Sequence, residues 1–301
     1  MLFSCKKLVV IGAGLIGGSL IKSLKQNNCQ IDEIIAVGRN LDVLKTAKQA
    51  GFIDDYSNDT SRSVIGADVI VVGTPVGTMA EQFSLIYENL DDDCVVTDVG
   101  SVKTDVVSSA KTALKDKFQN FVPAHPISGT EHSGFNASFA ELFEGRFTVI
   151  TPIENNNEKH IEMIRLMWRS TGSQILEMNY TTHDKVFAAT SHLPHVLVYA
   201  LMNAISGLDD SDKYFQVVAG GFLDYTRIAS SDAVMWRDVC LTNQAPILEM
   251  IDKYKKQLTE LEQMIENKDG QALYRQFEQA KQTRDKLVDK RLKEKKDSAQ
   301  I

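Results

Sequence analysis

Cysteine, long apolar runs and positive charge are all in short supply in this chain, and each shortage excludes a class of protein. Its 301 residues include four cysteines without CxxC or Cys/His spacing, which argues against a zinc site or a disulfide framework. No apolar run approaches the roughly 18–20 residues of a membrane span, and no small-residue cleavage site follows the first apolar run. We therefore expect a cytoplasmic protein without a signal peptide or a membrane partner.

The charge balance excludes a further class of protein, general nucleic-acid binders. Acidic residues outnumber basic ones and leave a formal net charge of −7, which argues against general nucleic-acid binding. An anionic ligand must therefore be held by a local positive site. With 43% hydrophobic and 24% charged residues, the composition is that of a globular protein and not of a disordered chain.

Two styles of sequence meet near Asn179. Before that point, short β-branched runs alternate with helical stretches, and the first and third runs are apolar throughout, as parallel strands buried on both faces are. We predict an α/β Rossmann-like doubly wound domain over residues 1–178. The predicted strands are Leu8–Ile11, Ile34–Val37, Val69–Val72, Cys94–Thr97, Phe121–Val122, Phe147–Ile150 and Gln174–Leu176.

The strand signals stop in the rest of the chain. Thr181–Ser206 is predicted to be one long helix with a break at Pro194, and Ala245–Val288 is predicted to be helical as well. Residues 179–301 are therefore expected to form an all-helical second domain.

A glycine motif follows the first predicted strand and opens a helix. In Gly12-Ala13-Gly14-Leu15-Ile16-Gly17, the first glycine permits a tight turn, the second lets the backbone approach a pyrophosphate, and the third lets helix and strand pack closely. The helix N-terminus adds free N–H groups and a partial positive charge. We predict that a dinucleotide binds here through Gly12, Gly14, Leu15, Ile16 and Gly17.

The residues at the end of the second predicted strand indicate which dinucleotide is bound. A carboxylate there usually binds the ribose 2′-hydroxyl of NAD. Here Val37 is followed by Gly38 and Arg39, and the nearest carboxylate, Asp42, belongs to the next helix. Because an arginine pairs well with a 2′-phosphate, we predict NADP in preference to NAD.

Polar residues follow three later strands, at the edge where open α/β sheets bind ligands. Thr74 and Pro75 follow the third predicted strand and are expected to contact the cofactor. Ser101 follows the fourth and His125 the fifth, so both are expected to face the nicotinamide ring. A histidine with an unperturbed pKa of about 6.5 suits proton transfer. We predict His125 and Ser101 to be the catalytic residues.

Three further segments carry candidate ligand contacts. The loop 128–134 is small and polar, and it either offers donors to an anion or is an ordinary glycine loop. His192 and His195 lie three residues apart without an HExxH pattern or an acidic partner at helical spacing, so we expect a substrate contact from His192 and no metal site. Arg227 suits a substrate carboxylate, and a salt bridge to Asp224 is its alternative role.

Taken together, these motifs resemble the prephenate/arogenate dehydrogenase (TyrA) family. The resemblance covers roughly residues 7 to 240, and its more specific motifs are His125–Glu131, Ser191–His195 and Asp224–Asp238. It implies an NAD(P)-dependent oxidative decarboxylation of prephenate to 4-hydroxyphenylpyruvate in tyrosine biosynthesis, with arogenate, which gives tyrosine, as the alternative substrate. It also implies a homodimer built by the helical domain.

The resemblance assigns roles to individual residues. It implies that His125 accepts the proton of the ring hydroxyl, that Ser101 orients both His125 and that hydroxyl, and that Arg227 binds a substrate carboxylate. The other residues that it places in the pocket are His192, Thr130, Glu131 and Trp236.

Two functions from other classes remain as alternatives at this point. A β-hydroxyacid dehydrogenase also combines a Rossmann domain with a helical domain, but it gives no reason for the Ser191–His195 and Asp224–Arg227 motifs. A non-catalytic NADP-binding redox sensor keeps the fold, but it gives no reason for a set that contains His125, Ser101 and Arg227. An enzyme acting on a small molecule is therefore the expected function.

Overall fold

The computed structural model describes residues 2–298, with side chains as far as Lys290. This part of the chain forms two compact units, one ending at Ile247 and the other beginning at Leu248. The domain division expected near Asn179 falls inside the first unit and stays a prediction.

A six-stranded parallel sheet forms the centre of the first unit. Its strand order, β3-β2-β1-β4-β5-β6, is that of a doubly wound dinucleotide-binding fold, which confirms the predicted fold class. All residues of β4 and β5 are buried. The strands are β1 (Ser4–Ile11), β2 (Gln30–Val37), β3 (Asp55–Ser57), β4 (Val69–Val72), β5 (Val95–Asp98) and β6 (Phe121–Val122).

Helices of the first unit bury both faces of this sheet. Leu8 of β1 packs on one face with Leu20 of the first helix, whereas Val9 packs on the other face with Phe83 of the fourth. Because both faces lose contact with water, the strands are apolar throughout instead of alternating. The helices are α1 (Leu15–Gln26), α2 (Leu41–Gln49), α3 (Thr60–Ser63), α4 (Met79–Tyr87), α5 (Thr104–Leu114) and α6 (Glu158–Arg169).

A second, three-stranded sheet holds His125. It comprises β7 (Ala124–Pro126), β8 (Phe147–Ile150) and β9 (Gln174–Glu177). Strand β7 runs antiparallel to β8 and places His125 opposite Val149. The sequence analysis predicted β8 and β9 but missed β7 and β3, because three residues are too short a run to show a periodic pattern.

The helical part begins with α7 (Tyr180–Phe187) and α8 (Leu193–Ser206). The break predicted at Pro194 lies earlier, in a π-helical turn over Ala188–His192. Pro194 sits in the first turn of α8, where the N–H that proline lacks has no helical partner in any case.

Five more helices complete the described chain. The predicted helix Ala245–Val288 is interrupted at residues 267–269 and is otherwise confirmed. Among residues 2–298, no helix combines the length and the apolar character needed to cross a membrane. The helices are α9 (Ser211–Gln216), α10 (Gly220–Thr226), α11 (Ala233–Thr242), α12 (Gln244–Glu266) and α13 (Gly270–Ser298).

Candidate active site

The glycine motif forms a cradle between β1 and α1. Gly12 has a φ of 83°, and a Cβ there would come within 2.7 Å of the main chain of Gly73 and Thr74. A Cβ on Gly17 would lie 2.8 Å from the carbonyl oxygen of Gly12, so helix and strand are in close contact there. Gly14, in contrast, has open space around its Cβ position. The residues present therefore leave room for a pyrophosphate over Gly14.

The first turn of α1 is suited to an anion. Its N-cap, Gly14, provides no side-chain hydrogen bond, and no acidic residue lies in the first turn. Main-chain N–H groups at Leu15, Ile16 and Gly17 therefore have no side chain competing for them, and the helix dipole favours negative charge at this end. The predicted phosphate-binding residues thus fit the group that the fold implies.

The other predicted cofactor residues surround this cradle. Thr74 lies against Gly12, and its buried Oγ1 has no hydrogen-bond partner within the described chain. Pro75, the next residue, is exposed. Arg39 is exposed just beyond the tip of β2, and its guanidinium makes no ion pair with residues 2–290, whose side chains the structure describes. A free arginine and an unpartnered hydroxyl are thus available to a bound nucleotide.

His125 is the end of a chain of three linked side chains. Its Nδ1 lies 2.9 Å from Nε2 of His183, and Nδ1 of His183 lies 2.8 Å from Oδ1 of Asp184. Phe187 packs against both imidazole rings, with centroid distances of 4.8 Å to His125 and 4.4 Å to His183. The rings are therefore fixed in orientation by packing as well as by hydrogen bonds.

Asp184 fixes the direction of these hydrogen bonds. Its Oδ1 accepts the main-chain N–H of Lys103 at 2.8 Å, and its Oδ2 accepts that of Thr104 at 2.7 Å. Burial acts to raise the pKa of Asp184, but the hydrogen bonds from His183, Thr104 and Lys103 outweigh it and lower the pKa. Asp184 is therefore an ionised acceptor.

The tautomer of His125 follows from that ionised acceptor. Since a carboxylate only accepts, His183 donates from Nδ1 to Asp184 and is left with a lone pair on Nε2. Burial is the main cause that lowers the pKa of His183, so its ring is neutral. His125 must then donate from Nδ1. Its remaining nitrogen, Nε2, carries a lone pair that can accept a proton.

Charge and burial keep His125 in this neutral form. Burial is the first cause that lowers its pKa well below 6.5, followed by electrostatic interactions with His183, Lys103 and His192. The side chain is nevertheless only partly covered, since His125 has intermediate exposure. A neutral imidazole with an accessible free nitrogen is suited to act as a general base.

A buried ion pair holds the main chain beside His125. Lys103 Nζ donates to Asp98 and, at 2.7 Å, to the carbonyl oxygen of Ala124. Both side chains are fully buried. Asp98 also accepts the N–H of Gly100 at 2.8 Å and that of Ala124 at 3.2 Å. The pair thereby ties β5 to β7, and removing one partner of such a pair costs about 3–5 kcal/mol.

His192 lies in a second buried group of polar side chains. Its Nδ1 is 2.9 Å from Nδ2 of Asn243, which also donates to the carbonyl oxygen of Asp184 at 3.0 Å. Burial is the main cause that lowers the pKa of His192 to about 4. The main chain of Ser101 approaches the ring and favours its protonation, but Nε2 has no partner of normal hydrogen-bond geometry. His192 is therefore neutral at physiological pH.

Aromatic stacking joins His192 to the second histidine of its motif. Trp236 is buried, with its ring centroid 6.0 Å from that of His192. His195 stacks on the same indole at 3.5 Å, with an angle of 19° between the planes. Within the described residues, the indole Nε1 has no hydrogen-bond partner. Trp236 thus packs between two histidines and leaves one donor available to a ligand.

Arg227 and Glu131 form an ion pair. Arg227 Nη1 lies 3.1 Å from Glu131 Oε2, and both side chains are partly exposed, 58% and 36% respectively. The alternative partner considered from the sequence, Asp224, is not the one bound. The positive charge of Arg227 is close enough to His195 to lower the pKa of that ring, after burial as the main cause. Arg227, His195 and Trp236 are therefore neighbours.

Two predicted site residues, Thr130 and Ser101, make no hydrogen bond to the His125 side chain. Thr130 is exposed, and its Oγ1 accepts the N–H of His132 at 3.2 Å within its own loop. Ser101 is partly buried and has its main chain near His192, whereas His125 is hydrogen-bonded to His183 and not to Ser101. Among residues 2–298, no hydrogen bond joins Thr130 to the histidine groups.

Sequence reasoning missed His183, Asp184 and Asn243. A His-Asp dipeptide at the start of the helical part is a weak signal that could have indicated the first two. Asn243 offered no signal, because an asparagine at the end of a helix has many ordinary roles. Its importance appears only through its contacts with His192 and Asp184.

Known proteins are similar to this chain in both sequence and fold. The family model for the prephenate dehydrogenase nucleotide-binding domain matches residues 21–177, and the model for its dimerization domain matches residues 179–279. A prephenate dehydrogenase of Bacillus subtilis is 32% identical over 285 residues, which are 93% of this chain and 76% of the relative. A cyclohexadienyl dehydrogenase of Zymomonas mobilis is 32% identical over 283 residues, which are 93% of this chain and 95% of the relative.

A solved structure is similar over nearly the whole chain. The prephenate dehydrogenase of A. aeolicus in complex with hydroxyphenyl propionate and NAD⁺ superposes with a TM-score of 0.88 at 30% identity. The match covers 94% of this chain and 98% of that one. Both family models together span most of the chain described above. The chain therefore belongs to the prephenate dehydrogenase family of dehydrogenases.

Proposed function

We propose that the protein catalyses the oxidative decarboxylation of prephenate to 4-hydroxyphenylpyruvate and carbon dioxide in tyrosine biosynthesis. The observation that carries this proposal is the hydrogen-bonded chain from Asp184 through His183 to His125, which leaves a free lone pair on His125 Nε2. This base lies in a chain whose nucleotide-binding fold carries an open phosphate cradle. The names of the relatives from B. subtilis and A. aeolicus support the same reaction.

The chain's own residues have defined roles in this reaction. The bound dinucleotide supplies the hydride acceptor. His125 Nε2 accepts the proton of the ring hydroxyl as hydride leaves the same carbon, and a carbonyl forms there. Loss of the ring carboxylate as carbon dioxide then makes the ring aromatic. His125 returns its proton to the phenolate oxygen, so atoms and charges balance.

Prephenate is proposed in preference to arogenate, which differs by an ammonium group on the side chain. An ammonium group requires a carboxylate or carbonyl partner. Asp238 is held by Arg237 at 2.6 Å, and the relatives from B. subtilis and A. aeolicus are named prephenate dehydrogenases. Both observations favour the keto acid. Dual use remains the second candidate, because the Z. mobilis relative is named a cyclohexadienyl dehydrogenase.

A matrix of assays tests the proposal. Purified protein is mixed with prephenate or arogenate and with NAD or NADP, and reduced cofactor and released carbon dioxide are measured together. We expect both products in equal amounts with prephenate. Reduced cofactor without carbon dioxide, or turnover of neither acid, contradicts the proposed reaction.

We also propose NADP as the preferred cofactor, on the basis of Arg39. Its exposed guanidinium, at the end of β2, is suited to pair with a 2′-phosphate. Arg39→Ala should weaken NADP binding about ten- to a hundred-fold and leave NAD binding nearly unchanged, since a charge-assisted hydrogen bond contributes roughly 1.5–3 kcal/mol. Fluorescence titration of both dinucleotides gives the two Kd values.

A matched variant separates this effect from a general loss of positive charge. Arg169, on α6, is an exposed arginine that pairs with Glu162 at 3.7 Å. Arg169→Ala should leave both Kd values unchanged. Equal losses of NAD and NADP affinity in Arg39→Ala contradict the proposed preference.

Arg227 is proposed to bind a substrate carboxylate by exchanging its partner Glu131 for the ligand. Because the present ion pair is partly exposed, it costs little to replace. Arg227→Ala should raise the KM for prephenate roughly 10- to 100-fold and leave the Kd of the dinucleotide unchanged. Arg227→Lys should recover only part of the loss, because the planar fork is absent. Steady-state kinetics measure KM.

Arg237 is the comparison residue for this test. It is similarly exposed at 62%, but its guanidinium is held by Asp238 next to it in sequence. If Arg227→Ala keeps the wild-type KM and Arg237→Ala raises it, the carboxylate is bound by Arg237 and the assignment to Arg227 is wrong.

A homodimer is proposed as the assembled form. The family model over residues 179–279 is that of a dimerization domain. Within the first unit, Leu223 and Leu241 are exposed at 57% and 66%, and within the second, Leu258 and Phe277 are exposed as well. Large apolar side chains exposed to this extent are candidates for coverage by a partner. A second copy of this chain is the proposed partner.

A cytoplasmic location is also proposed, because the four cysteines are unpaired, as is usual in a reducing compartment.

A further inference from the structure

Asn243 connects the two histidine groups of the site. It is buried at the end of α11, and its Nδ2 lies 3.0 Å from the carbonyl oxygen of Asp184 and 2.9 Å from Nδ1 of His192. Both contacts come from the one amide nitrogen. Asn243 therefore has a partner on each side that constrains which way its amide points.

The carbonyl oxygen of Asp184 decides the orientation of the Asn243 amide. A carbonyl oxygen only accepts, so the group facing it must be the NH₂ and not the amide oxygen. The second hydrogen of the same NH₂ then points to His192 Nδ1, which must accept it. His192 is therefore unprotonated on Nδ1 and, being neutral, carries its hydrogen on Nε2.

The resulting donor is buried and has no acceptor of good hydrogen-bond geometry within the described chain. Within the described chain, His192 Nε2 is buried without a partner of normal geometry, with the Trp236 ring and the main chain of Ser101 nearby. A buried N–H without an acceptor is energetically unfavourable. A ligand oxygen placed there would satisfy it.

We propose that Asn243 is a positioning residue, which holds His192 in the Nε2–H tautomer so that His192 donates a hydrogen bond to an oxygen of the bound substrate. The inference rests on the proposed function for the identity of that substrate. It gives the two histidines opposite tasks. His125 presents a lone pair on Nε2, and His192 presents a hydrogen on Nε2.

This assignment also removes His192 as an alternative base. Its Nδ1 lone pair is occupied by Asn243, and its Nε2 already bears hydrogen. The lowered pKa, to about 4, keeps the ring from gaining a second proton at neutral pH. His192 therefore donates to the substrate without competing with His125 for the hydroxyl proton.

The tautomer of His192 in the wild-type protein provides the first test. Histidine is labelled with ¹⁵N, and the six histidine side chains are observed by NMR. The His192 signals are assigned through their loss in His192→Gln. We expect the hydrogen of His192 on Nε2. A hydrogen on Nδ1 overturns the proposal without any folding question, and without requiring turnover of prephenate.

Asn243→Asp provides the second test, because a carboxylate can only accept. We expect the hydrogen of His192 to move to Nδ1, and the KM for prephenate to rise about tenfold through loss of one donor. The acidic limb of the pH–rate profile, which belongs to His125, should not move. A variant that keeps the Nε2–H tautomer, or keeps the wild-type KM with the tautomer reversed, contradicts the proposal.

Asn120→Asp is the matched control. Asn120 is also a buried asparagine whose amide donates to a main-chain carbonyl, that of Asp92 at 2.7 Å, but it contacts no histidine. We expect the wild-type tautomer of His192 and the wild-type KM. If wild-type protein turns over no prephenate while His192 is protonated on Nε2, the proposed reaction fails and the tautomer assignment stands.

Discussion

The His125→Asn variant is expected to lose roughly 10²–10⁴-fold in kcat, the range typical of a removed general base. Asparagine keeps a polar side chain of similar reach, but its amide has no basic nitrogen. The Kd of the dinucleotide and the KM of prephenate should change far less, because neither the glycine cradle nor Arg227 touches this side chain. Steady-state kinetics and dinucleotide titration measure these quantities.

The pH dependence of the rate is a second test of His125 as the general base. Only the neutral ring accepts a proton, so the rate falls as pH drops through the pKa of His125. Burial, followed by electrostatic interactions with His183, Lys103 and His192, holds that pKa well below 6.5. Wild-type kcat/KM, which reports the free enzyme, should therefore stay level through neutral pH and fall only well below pH 6.5. This limb should be absent in His125→Asn.

His160→Asn is the control for these measurements. His160 is a partly buried histidine on α6 whose contacts do not include any of the site histidines. It should retain wild-type kcat and the wild-type pH profile. A His125→Asn variant with nearly normal kcat, or with an unchanged acidic limb, means that another group is the base.

Local patterns in the sequence were sufficient to predict most of the parallel sheet and the glycine turn between β1 and α1. The strand Leu8–Ile11 and the glycines after it lie within one short segment, and each has a physical requirement that limits the residue type. Gly12 shows this most clearly, because its positive φ and its contact with the main chain of Gly73 exclude a side chain. Fold class is predictable where such requirements are local.

The hydrogen-bonded groups of the site were not predictable in the same way. His125 meets His183 across 58 positions of sequence, and Asn243 meets His192 across 51. No periodicity connects residues so far apart. The sequence predicted that His125 and His192 carry function, but which nitrogen each presents depends on neighbours that only the folded chain brings to them.

The position of the helix break shows a related limit. Proline is a reliable signal for the end of a helix, and Pro194 was therefore expected to mark the break. The backbone instead widens over Ala188–His192, where a π-helical turn places His192 in the interior. Such turns are frequent at functional sites, but they carry no residue signature comparable to proline.

Asp184→Asn is expected to lower kcat about 10²–10³-fold while the protein remains folded. Asp184 Oδ1 accepts from His183 and from the N–H of Lys103, and Oδ2 accepts from the N–H of Thr104. In an asparagine at this position, the NH₂ takes the place of either Oδ2 or Oδ1. In the first orientation, the NH₂ takes the place of Oδ2 and opposes the N–H of Thr104. In the second, it takes the place of Oδ1, donates to His183 Nδ1 and opposes the N–H of Lys103.

The second orientation reverses the whole chain of hydrogen bonds. His183 then carries its hydrogen on Nε2 and donates it to Nδ1 of His125. His125 is left with hydrogen on Nε2, where the lone pair for the substrate proton is needed. A comparable Asp-to-Asn change in a Ser-His-Asp triad leaves the geometry intact and removes most of the rate through the wrong tautomer. The loss here should likewise lie in kcat and not in KM.

Asp238→Asn is the matched control, since Asp238 is also a buried aspartate, and its partner is the Arg237 side chain rather than a histidine. Comparing thermal unfolding and kcat for both variants separates lost stability from lost chemistry. We expect Asp184→Asn to show the larger loss of kcat at temperatures where both proteins are folded, and ¹⁵N NMR to show hydrogen on Nε2 of His125. If kcat of Asp184→Asn stays within a few-fold of wild type, or His125 keeps its hydrogen on Nδ1, then Asp184 does not set the tautomer of the base and serves only to hold the N-terminus of α5.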